Sequence, residues 1–245
     1  MLLAIDIGNT TIGFAVIQKT SQIVSTVIVD TDAKPGKIKA IIQKILKAHP
    51  IDRAVICSVV PKTTRSLEEI LKKKLAVSVI GRDIIVPIKN RYKNPKQVGQ
   101  DRLVGAYGAM RIYGQPLIVV DLGTAITFDV ISTQGEYLGG AIVPGIRLSA
   151  ESLFLKTALL PHIDIKAPRH IVGRTTQESI LSGLFYGYGS LCRGFIDLIS
   201  KQIKAKPKVV MTGGHTLLMK KFVSPKIRII DEDLVFKGIY FLSNL

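Results

Sequence analysis

Two short Asp-Gly segments are the residues of this chain whose types and spacing best suit phosphate chemistry. Residues 6–10 read Asp-Ile-Gly-Asn-Thr, and residues 121–125 read Asp-Leu-Gly-Thr-Ala. An apolar run precedes each copy and another follows it, which predicts a strand, a tight glycine turn and a strand, twice. Glycine lets a turn approach a ligand closely, and successive backbone N–H groups beside short polar side chains bind anions. Two such turns facing each other across a cleft are predicted to hold one nucleotide triphosphate.

The acidic residue that opens the first turn needs a partner in this interpretation. Asp6 closes its strand and would repel phosphate unless a cation lies between them, and a hydrated Mg²⁺ suits that position. For one copy alone, an ordinary hairpin turn in which Asp6 bonds its own backbone is the alternative. The second copy, half a chain away, favours the phosphate interpretation.

Other nucleotide-binding motifs were sought along the chain. A Walker A motif is absent and no G-x-G-x-x-G follows a strand, which argues against P-loop and Rossmann nucleotide binding. Two apposed hairpin turns are typical of the actin, sugar kinase and Hsp70 group. Residues 212–214, Thr-Gly-Gly after a buried strand, suit the adenosine-contacting turn of that group. A plain strand-to-helix loop is the alternative for this segment.

A second candidate site is the Gly-Gln-Asp-Arg segment at residues 99–102. Asp101 stands at a predicted helix start, where a carboxylate complements the helix dipole beside a surface arginine. In the functional interpretation, Asp101 accepts a hydroxyl proton while Arg102 binds an acceptor-bearing substrate. The histidines and cysteines show neither metal-ligand spacing nor a pattern for nucleophilic chemistry. They are interpreted as structural or surface residues: His49, His162, His170, His215, Cys57 and Cys192.

Composition narrows the class of protein. The chain has 245 residues, 47% of them hydrophobic, so it is long enough to bury a real core. No run of about 18 apolar residues predicts a membrane span, and Asp6 interrupts the apolar start, so no signal peptide is predicted. Two cysteines do not make a disulfide framework. We therefore expect a cytoplasmic protein.

The formal net charge of +16 raises the question of nucleic acid. The lysines lie mostly on the polar sides of apparent amphipathic helices, and no aromatic residues interleave with them as a stacking platform requires. A solvated basic surface is therefore favoured, and nucleic acid is not expected as the main partner. Such a field still attracts small anionic substrates.

The order of elements predicts a duplicated α/β fold with a mixed sheet in each half. Ser66 with Glu69 predicts a capping box that opens a helix ending near residue 75. Thr175 with Glu178 predicts a second capping box, which opens a long helix ending near residue 203. Glycines 183, 187 and 189 on that helix are attributed to close packing, because glycine is otherwise unfavourable there.

Taken together, these motifs resemble the type III pantothenate kinases, and the match runs nearly end to end. The Gly-x-Asp-Arg element between two Asp-x-Gly turns is specific to that family within its superfamily. The family more often has a smaller residue where Gln100 stands. The resemblance rests on residues 6–10, 92–95, 99–102, 121–125, 139–145 and 173–183.

The resemblance implies a fold and an activity. The fold is actin-like, with two RNase H-like lobes at residues 1–115 and 116–245, mixed sheets flanked by helices, and an ATP cleft between the lobes. The activity is ATP-dependent phosphorylation of pantothenate to 4'-phosphopantothenate, the first step of coenzyme A biosynthesis. Members of the family are homodimers with the substrate pocket at the dimer interface.

The resemblance also implies roles for individual residues. Asp101 accepts the proton of the pantothenate hydroxyl, and Asp121 binds a monovalent cation (K⁺ or NH₄⁺). The water-mediated Mg²⁺ at Asp6 comes from the chemistry of the turn and not from the resemblance. The implied ATP-binding residues are Asp6, Ile7, Gly8, Asn9, Thr10, Thr11, Ile12, Gly13 and Thr124. The implied pantothenate-binding residues are Tyr92, Gly99, Gln100, Asp101, Arg102 and, from the second subunit, Thr176.

Two other functions stay open at this point. One is a kinase of the same superfamily that acts on acetate or a sugar, with Tyr92 and Arg102 lining a different acceptor pocket. The other is a non-catalytic regulator that binds nucleic acid through its basic surface. The intact set of Asp6, Asp101 and Asp121 argues against a dead enzyme.

Overall fold

The computed structural model describes residues 1–224, 227 and 229–245. The chain forms two compact units, the first made of Met1–Ile112 with Asp233–Leu245 and the second of Tyr113–Glu232. Each unit is built on one five-stranded mixed sheet. Within the described residues, no helix combines the length and the apolar character needed to cross a membrane.

The first sheet has the strand order β3-β2-β1-β4-β5. Its central strand β1 pairs antiparallel with β2 and parallel with β4. Nearly all of β1 is buried, which accounts for its continuous apolar sequence. The strands are β1 (Leu2–Ile7), β2 (Thr11–Ile17), β3 (Ile23–Asp30), β4 (Arg53–Ser58) and β5 (Ala76–Val79).

The second sheet repeats this topology. Its strand order is β10-β9-β6-β7-β8, with β6 antiparallel to β7 and parallel to β9. Register shifts fall at Val16/Ile17 in the first sheet and at Val130/Ile131 in the second, so the irregularity recurs at the same place in both copies. The strands are β6 (Leu117–Leu122), β7 (Ala125–Ile131), β8 (Tyr137–Pro144), β9 (Lys208–Thr212) and β10 (Ile229–Ile230).

Helices cover the sheets. The apolar stripe of the first helix, Ile38, Ile42 and Ile45, is buried, as its periodicity predicts. A π-helical turn, Gly183–Gly187, joins the fifth and sixth helices into one long helical segment. The helices are α1 (Pro35–Ala48), α2 (Pro61–Leu71), α3 (Gln100–Tyr113), α4 (Ile146–Lys156), α5 (Thr176–Ser182), α6 (Tyr188–Gln202), α7 (Thr216–Val223) and α8 (Leu234–Leu242).

The predicted capping box at Ser66 is wrong. The helix α2 begins at Pro61, because proline has a helix-compatible φ and needs no hydrogen-bond partner at the first position. Ser66 lies inside the helix and its hydroxyl donates to the carbonyl of Lys62 at 3.3 Å. The cap at Thr175 is confirmed, since its hydroxyl accepts a hydrogen bond from the N–H of Glu178 at 3.2 Å.

The glycines of the long helical segment differ in their surroundings. A β-carbon on Gly189 would clash with the backbone of Phe222, so close packing explains this residue. Among the residues that the structure describes, a β-carbon on Gly183 or Gly187 would meet no atom within 4 Å outside its own helical segment. Close packing within the chain therefore does not explain these two.

The last helix belongs to the first unit, whereas the sequence prediction placed residues 116–245 together. Gly108 on α3 and Gly238 on α8 lie in direct contact, and a β-carbon on Gly108 would lie 2.9 Å from the Cα of Gly238. The ring of Phe236 covers Gly13 of β2, and Ile239 is fully buried. Burying side chains of this size contributes about 1.5–3 kcal/mol each, which holds α8 in the first unit.

Candidate active site

The first Asp-Gly turn is a closed and well-supported loop. The N–H of Gly8 donates to the carbonyl of Thr11 at 2.9 Å. Thr31, just after β3, donates from its hydroxyl to the carbonyl of Gly8 at 2.7 Å and from its N–H to Thr10 at 2.9 Å. Asn9 and Thr10 are exposed at the tip. The turn therefore presents short polar side chains on a backbone that the rest of the unit holds in place.

The residues on either side of this turn belong to the core of the sheet. Ile7 and Ile12 are buried, so these residues can offer a ligand only their backbone. Gly13 lies opposite Asp6 in the pairing of β1 with β2, and Phe236 packs on it. Of the predicted ATP-binding segment, the accessible part is therefore the turn itself together with Thr11.

Asp6, Cys57 and Asp101 lie close together in the first unit. Cys57 neighbours Asp6 across the parallel pairing of β1 with β4. Burial raises the pKa of the Cys57 thiol well above its usual value, and the negative charges of Asp6 and Asp101 raise it further. The N–H of Val59 donates to the carbonyl of Ile7 at 3.1 Å, and a β-carbon on Gly99 would lie 3.4 Å from Cγ1 of Val59. The fold thus brings the end of β1 and the Gly-Gln-Asp-Arg segment together through Val59, although more than ninety residues separate them in the chain.

The carboxylate of Asp101 is held at the start of α3. Its Oδ1 accepts a hydrogen bond from the N–H of Arg102 at 2.8 Å, and the carbonyl of Gly99 accepts from Leu103 at 3.3 Å. A β-carbon on Gly99 would clash with that Oδ1, so glycine leaves the room that the carboxylate occupies. Burial raises the pKa of Asp101, while the N–H and the charge of Arg102 oppose the rise. A carboxylate of this kind is a stronger base than a free aspartate.

Tyr92 sits on a loop that asparagine side chains shape. The N–H of Tyr92 donates to Oδ1 of Asn90 at 2.9 Å, and Asn94 accepts from the N–H of Lys96 at 3.3 Å. Val98, 3% exposed, anchors the end of the loop just before the Gly-Gln-Asp-Arg segment. Tyr92 is half-buried on this ordered loop of the first unit.

The second Asp-Gly turn is shorter than the first. It consists of Gly123 and Thr124, because Ala125 already begins β7, whereas the first turn includes three residues before Thr11. The N–H of Gly123 donates to Ala125 at 3.1 Å, and the N–H of Gly145 donates to Thr124 at 2.9 Å. A β-carbon on Gly145 would clash with the carbonyls of both turn residues. The start of α4 is therefore seated directly on the second turn.

A glycine cradle surrounds the carboxylate of Asp121. A β-carbon on Gly213, whose φ is +92°, would clash with Oδ1 of Asp121, and one on Gly123 would lie 3.3 Å from it. The N–H of His215 donates to the carbonyl of Leu122 at 3.0 Å, which ties the loop after β9 to this turn. Carboxylate and carbonyl oxygens in such a cradle fit a hard cation.

His215, which its sequence pattern indicates to be a structural or surface residue, lies beside the second turn. Burial lowers the pKa of its imidazole, and a hydrogen bond to the carbonyl of Leu122 opposes that shift. Its Nδ1 is buried and accepts no hydrogen bond from any residue that the structure describes. The Thr-Gly-Gly segment just before it was the sequence signal that pointed to this position.

Thr176 is the first residue of α5 and is exposed. The hydroxyl of Thr175 and the carboxylate of Glu178 organise this helix start, since Glu178 accepts from the N–H of Arg174 at 2.8 Å. Thr176 therefore belongs to the second unit, whereas the other predicted pantothenate-binding residues belong to the first.

Comparison with known proteins identifies the family. The profile of the type III pantothenate kinases matches residues 2–198. A type III pantothenate kinase of Persephonella marina is 44% identical over 248 residues, covering 98% of this chain and 97% of that protein. The chain belongs to the type III pantothenate kinase family. A family member from Halalkalibacterium halodurans is 38% identical over 250 residues, with 99% of this chain and 98% of that protein covered.

Solved structures show the fold at much lower identity. A ROK family glucokinase from Streptomyces griseus, in complex with glucose and AMPPNP, matches with a TM-score of 0.55 and 13% identity, covering 100% of this chain and 99% of that one. The activator of 2-hydroxyisocaproyl-CoA dehydratase from Clostridium difficile, with bound ADPNP, matches with a TM-score of 0.56 and 12% identity, covering 99% and 94%. The predicted duplicated actin-like fold is confirmed.

Proposed function

We propose that this protein transfers the terminal phosphoryl group of ATP to the primary hydroxyl of pantothenate, which yields 4'-phosphopantothenate at the first step of coenzyme A biosynthesis. The observation that carries the proposal is the carboxylate of Asp101, held at the start of α3 between Gly99 and Arg102. Membership of the type III pantothenate kinase family supports the choice of acceptor.

In this proposal, the Asp-Gly turns bind ATP. Asn9, Thr10 and Thr11 are exposed on the first turn, where short polar side chains and backbone N–H groups bind phosphate oxygens. Thr124 contributes from the second turn. Phosphoryl transfer depends on alignment and charge neutralisation more than on covalent catalysis, so rigid turns suit it.

Asp101 acts as the general base in the reaction. Its carboxylate takes the proton of the pantothenate hydroxyl as the new P–O bond forms, and its raised pKa makes it a better acceptor. Tyr92, Gly99 and Arg102 shape the pantothenate pocket, and the guanidinium of Arg102 binds an acceptor oxygen of the substrate. Thr176 is contributed by a second subunit.

Cations complete the proposed site. Asp121, in its cradle of Gly123 and Gly213, fits a monovalent cation, K⁺ or NH₄⁺, and Asp6 fits Mg²⁺ held through water. When bound, these ions supply positive charge that offsets the charge of the phosphates. The positions of Asp121 and Asp6 determine where that positive charge lies.

A homodimer is part of the proposal, and an open helical face supports it. Gly183, Gly187, Ser190 and Gly194 are exposed at helical spacing on the long segment of α5 and α6, and Leu198, 64% exposed, continues the row. Within the described part of the chain, a β-carbon on any of these three glycines would meet no atom within 4 Å beyond its own stretch of helix. Glycine inside a helix is less stable than alanine by about 1 kcal/mol, so we expect these glycines to contact a second subunit. Small residues allow two helices to approach closely.

Gly187→Lys is expected to convert the dimer to a monomer near 26.8 kDa, as sedimentation velocity would show. The reason is that two added ammonium groups would face each other where the helices meet. Loss of activity should accompany dissociation, because Thr176 then no longer reaches the partner's pocket. Gly36→Lys on α1 is the matched control, since a β-carbon there also meets no described residue outside its own helix within 4 Å. A Gly187→Lys protein that sediments as the unaltered dimer would place the interface elsewhere.

The activity itself is tested by coupled measurement of ADP release. We expect ADP formation that depends on pantothenate and that rises when K⁺ or NH₄⁺ replaces Na⁺. ADP formation with acetate or a sugar, and none with pantothenate, would favour another kinase of the superfamily. No ADP with any acceptor, together with DNA binding at physiological ionic strength, would favour the regulator.

A further inference from the structure

A network of ion pairs fixes the turn that follows β5. The carboxylate of Glu68, 6% exposed, accepts hydrogen bonds from both terminal nitrogens of Arg82, at 3.1 and 2.6 Å, and pairs with Lys72 at 2.8 Å. Arg82 also pairs with Asp83, whose other contact is with the N–H of Val79 at 2.8 Å. Hydrogen bonds from Arg82 and then Lys72 lower the pKa of Glu68 to about 2. The turn is thus held to α2 by a buried charge that stays ionised.

The same turn carries a glycine with a special backbone conformation. Gly81 has a φ of +88°, a backbone conformation that residues other than glycine rarely adopt. Its N–H donates to the carbonyl of Ile84 at 2.8 Å. A β-carbon on Gly81 would lie 2.8 Å from Cδ of Gln100 and 3.1 Å from its Nε2. The amide end of Gln100 therefore lies directly on the face of Gly81 where a side chain is missing.

Gln100 is the first residue of α3 and immediately precedes Asp101. Its backbone position is set by the helix start that Gly99 caps, and its side chain is set by the turn at Gly81. Gln100 thus links the turn at Gly81 to the helix start that carries Asp101. A shift of the helix start would move the Asp101 carboxylate with it.

We propose that Gln100 is a positioning residue, whose side chain packs on Gly81 and thereby fixes the start of α3 and the carboxylate of Asp101. The proposal rests on the function proposed above and gives Gln100 a role other than direct contact with pantothenate. The network of Glu68 and Arg82 supplies the rigid platform for that contact.

The variants Gln100→Ala and Gln100→Met distinguish packing of the side chain on Gly81 from contact of its amide with pantothenate. Methionine has nearly the length and volume of glutamine without its amide, so it should fill the space over Gly81 and keep kcat within about twofold of the unaltered enzyme. Alanine should lower kcat roughly tenfold, because small misplacements of reacting groups are costly, and leave the KM for ATP unchanged. It should also move the acid limb of the kcat profile to lower pH, since a loosened Asp101 is better solvated.

Two outcomes would overturn the proposal. If Gln100→Met matches Gln100→Ala and both mainly raise the KM for pantothenate, the amide contacts the substrate. If Gln100→Ala leaves kcat and its pH profile unchanged, the contact has no role in positioning.

A double-mutant cycle in thermal unfolding tests the contact without any activity. Gly81→Ala should destabilise the protein less when Gln100→Ala is also present, because the new methyl group displaces the end of Gln100 and that contact cannot be lost twice, while the strain at φ remains. Additive effects on stability would contradict the packing of Gln100 on Gly81. If the two substitutions are coupled in stability but the protein releases no ADP in response to pantothenate, the contact between Gln100 and Gly81 is supported and the proposed function is contradicted.

Discussion

Asp101→Asn is expected to lower kcat by roughly a hundredfold to ten-thousandfold, the range over which general bases contribute. Asparagine keeps the shape of the side chain and the hydrogen bond from Arg102, but it does not accept the hydroxyl proton. The dissociation constant of ATP should stay unchanged, because the first turn is closed by Gly8, Thr11 and Thr31 and not by Asp101. Steady-state kinetics and calorimetric titration with a non-hydrolysable ATP analogue would measure both quantities.

The same variant should not be less stable at neutral pH. Burial raises the pKa of Asp101 above the 3.8 of the free side chain, so the folded state favours the protonated carboxyl group. This preference adds to the free energy of unfolding in full below pH 3.8, and the contribution is lost as the pH rises through the pKa of the folded state. The ionised carboxylate thus weakens the folded state at neutral pH, and asparagine removes that effect. The melting temperature at pH 7 should be equal or higher.

A matched control is Asp52→Asn, an exposed carboxylate of the same unit that pairs with the N-terminal amine at 3.1 Å. Its kcat should stay within about twofold of the unaltered enzyme, since exposed pairs contribute little. An Asp101→Asn enzyme with an unchanged kcat would remove Asp101 from the role of base.

Gly145→Ala is expected to weaken ATP binding about tenfold or more. The new methyl group would clash with the carbonyls of Gly123 and Thr124, both of them backbone atoms that cannot rotate away. The second turn must therefore move, and a distortion of about 1.4 kcal/mol already corresponds to tenfold in Kd. Overpacking also destabilises a protein by about 1–3 kcal/mol, so the melting temperature should fall as well.

Gly36→Ala is the control for this prediction, because a β-carbon at that position on α1 meets no atom of the described chain within 4 Å beyond its own helix. The two variants carry the same chemical change, so a difference in their ATP affinity measures the effect of distorting the second turn. Both should be compared by calorimetric titration with ATP at a temperature where each is folded. A folded Gly145→Ala protein with unaltered ATP affinity would show that ATP binding does not depend on the geometry of this turn.

The elements that could be predicted from the sequence are those whose signals are local. The apolar run before each Asp-Gly segment predicted β1 and β6. A strand that is buried on both faces has apolar residues at successive positions, and not the alternation of polar and apolar residues of a half-exposed strand. The cap at Thr175 was predictable because a hydroxyl and the N–H three residues later meet within one turn.

An error arose where two local signals competed. Ser66 and Glu69 have the spacing of a capping box, yet Pro61 begins the helix earlier and places Ser66 inside it. At Gly183 and Gly187 the sequence predicts close packing, and the described residues outside their own helical segment leave both glycines open, so the packing partner stays a prediction. In each case the sequence shows which residue is present but not which neighbour it meets.

Sequence alone determined the duplication, the fold class, the family and the list of candidate residues, because repeated turns and the Gly-x-Asp-Arg element are carried by neighbouring residues. Only the tertiary structure decided that Asp6, Cys57 and Asp101 share one site, that Gly145 and Gly213 crowd the second turn, and that α8 belongs to the first unit. The physical reason is that these contacts join residues far apart in the chain. Their partners are chosen by the packing of whole strands and helices, which no local pattern records.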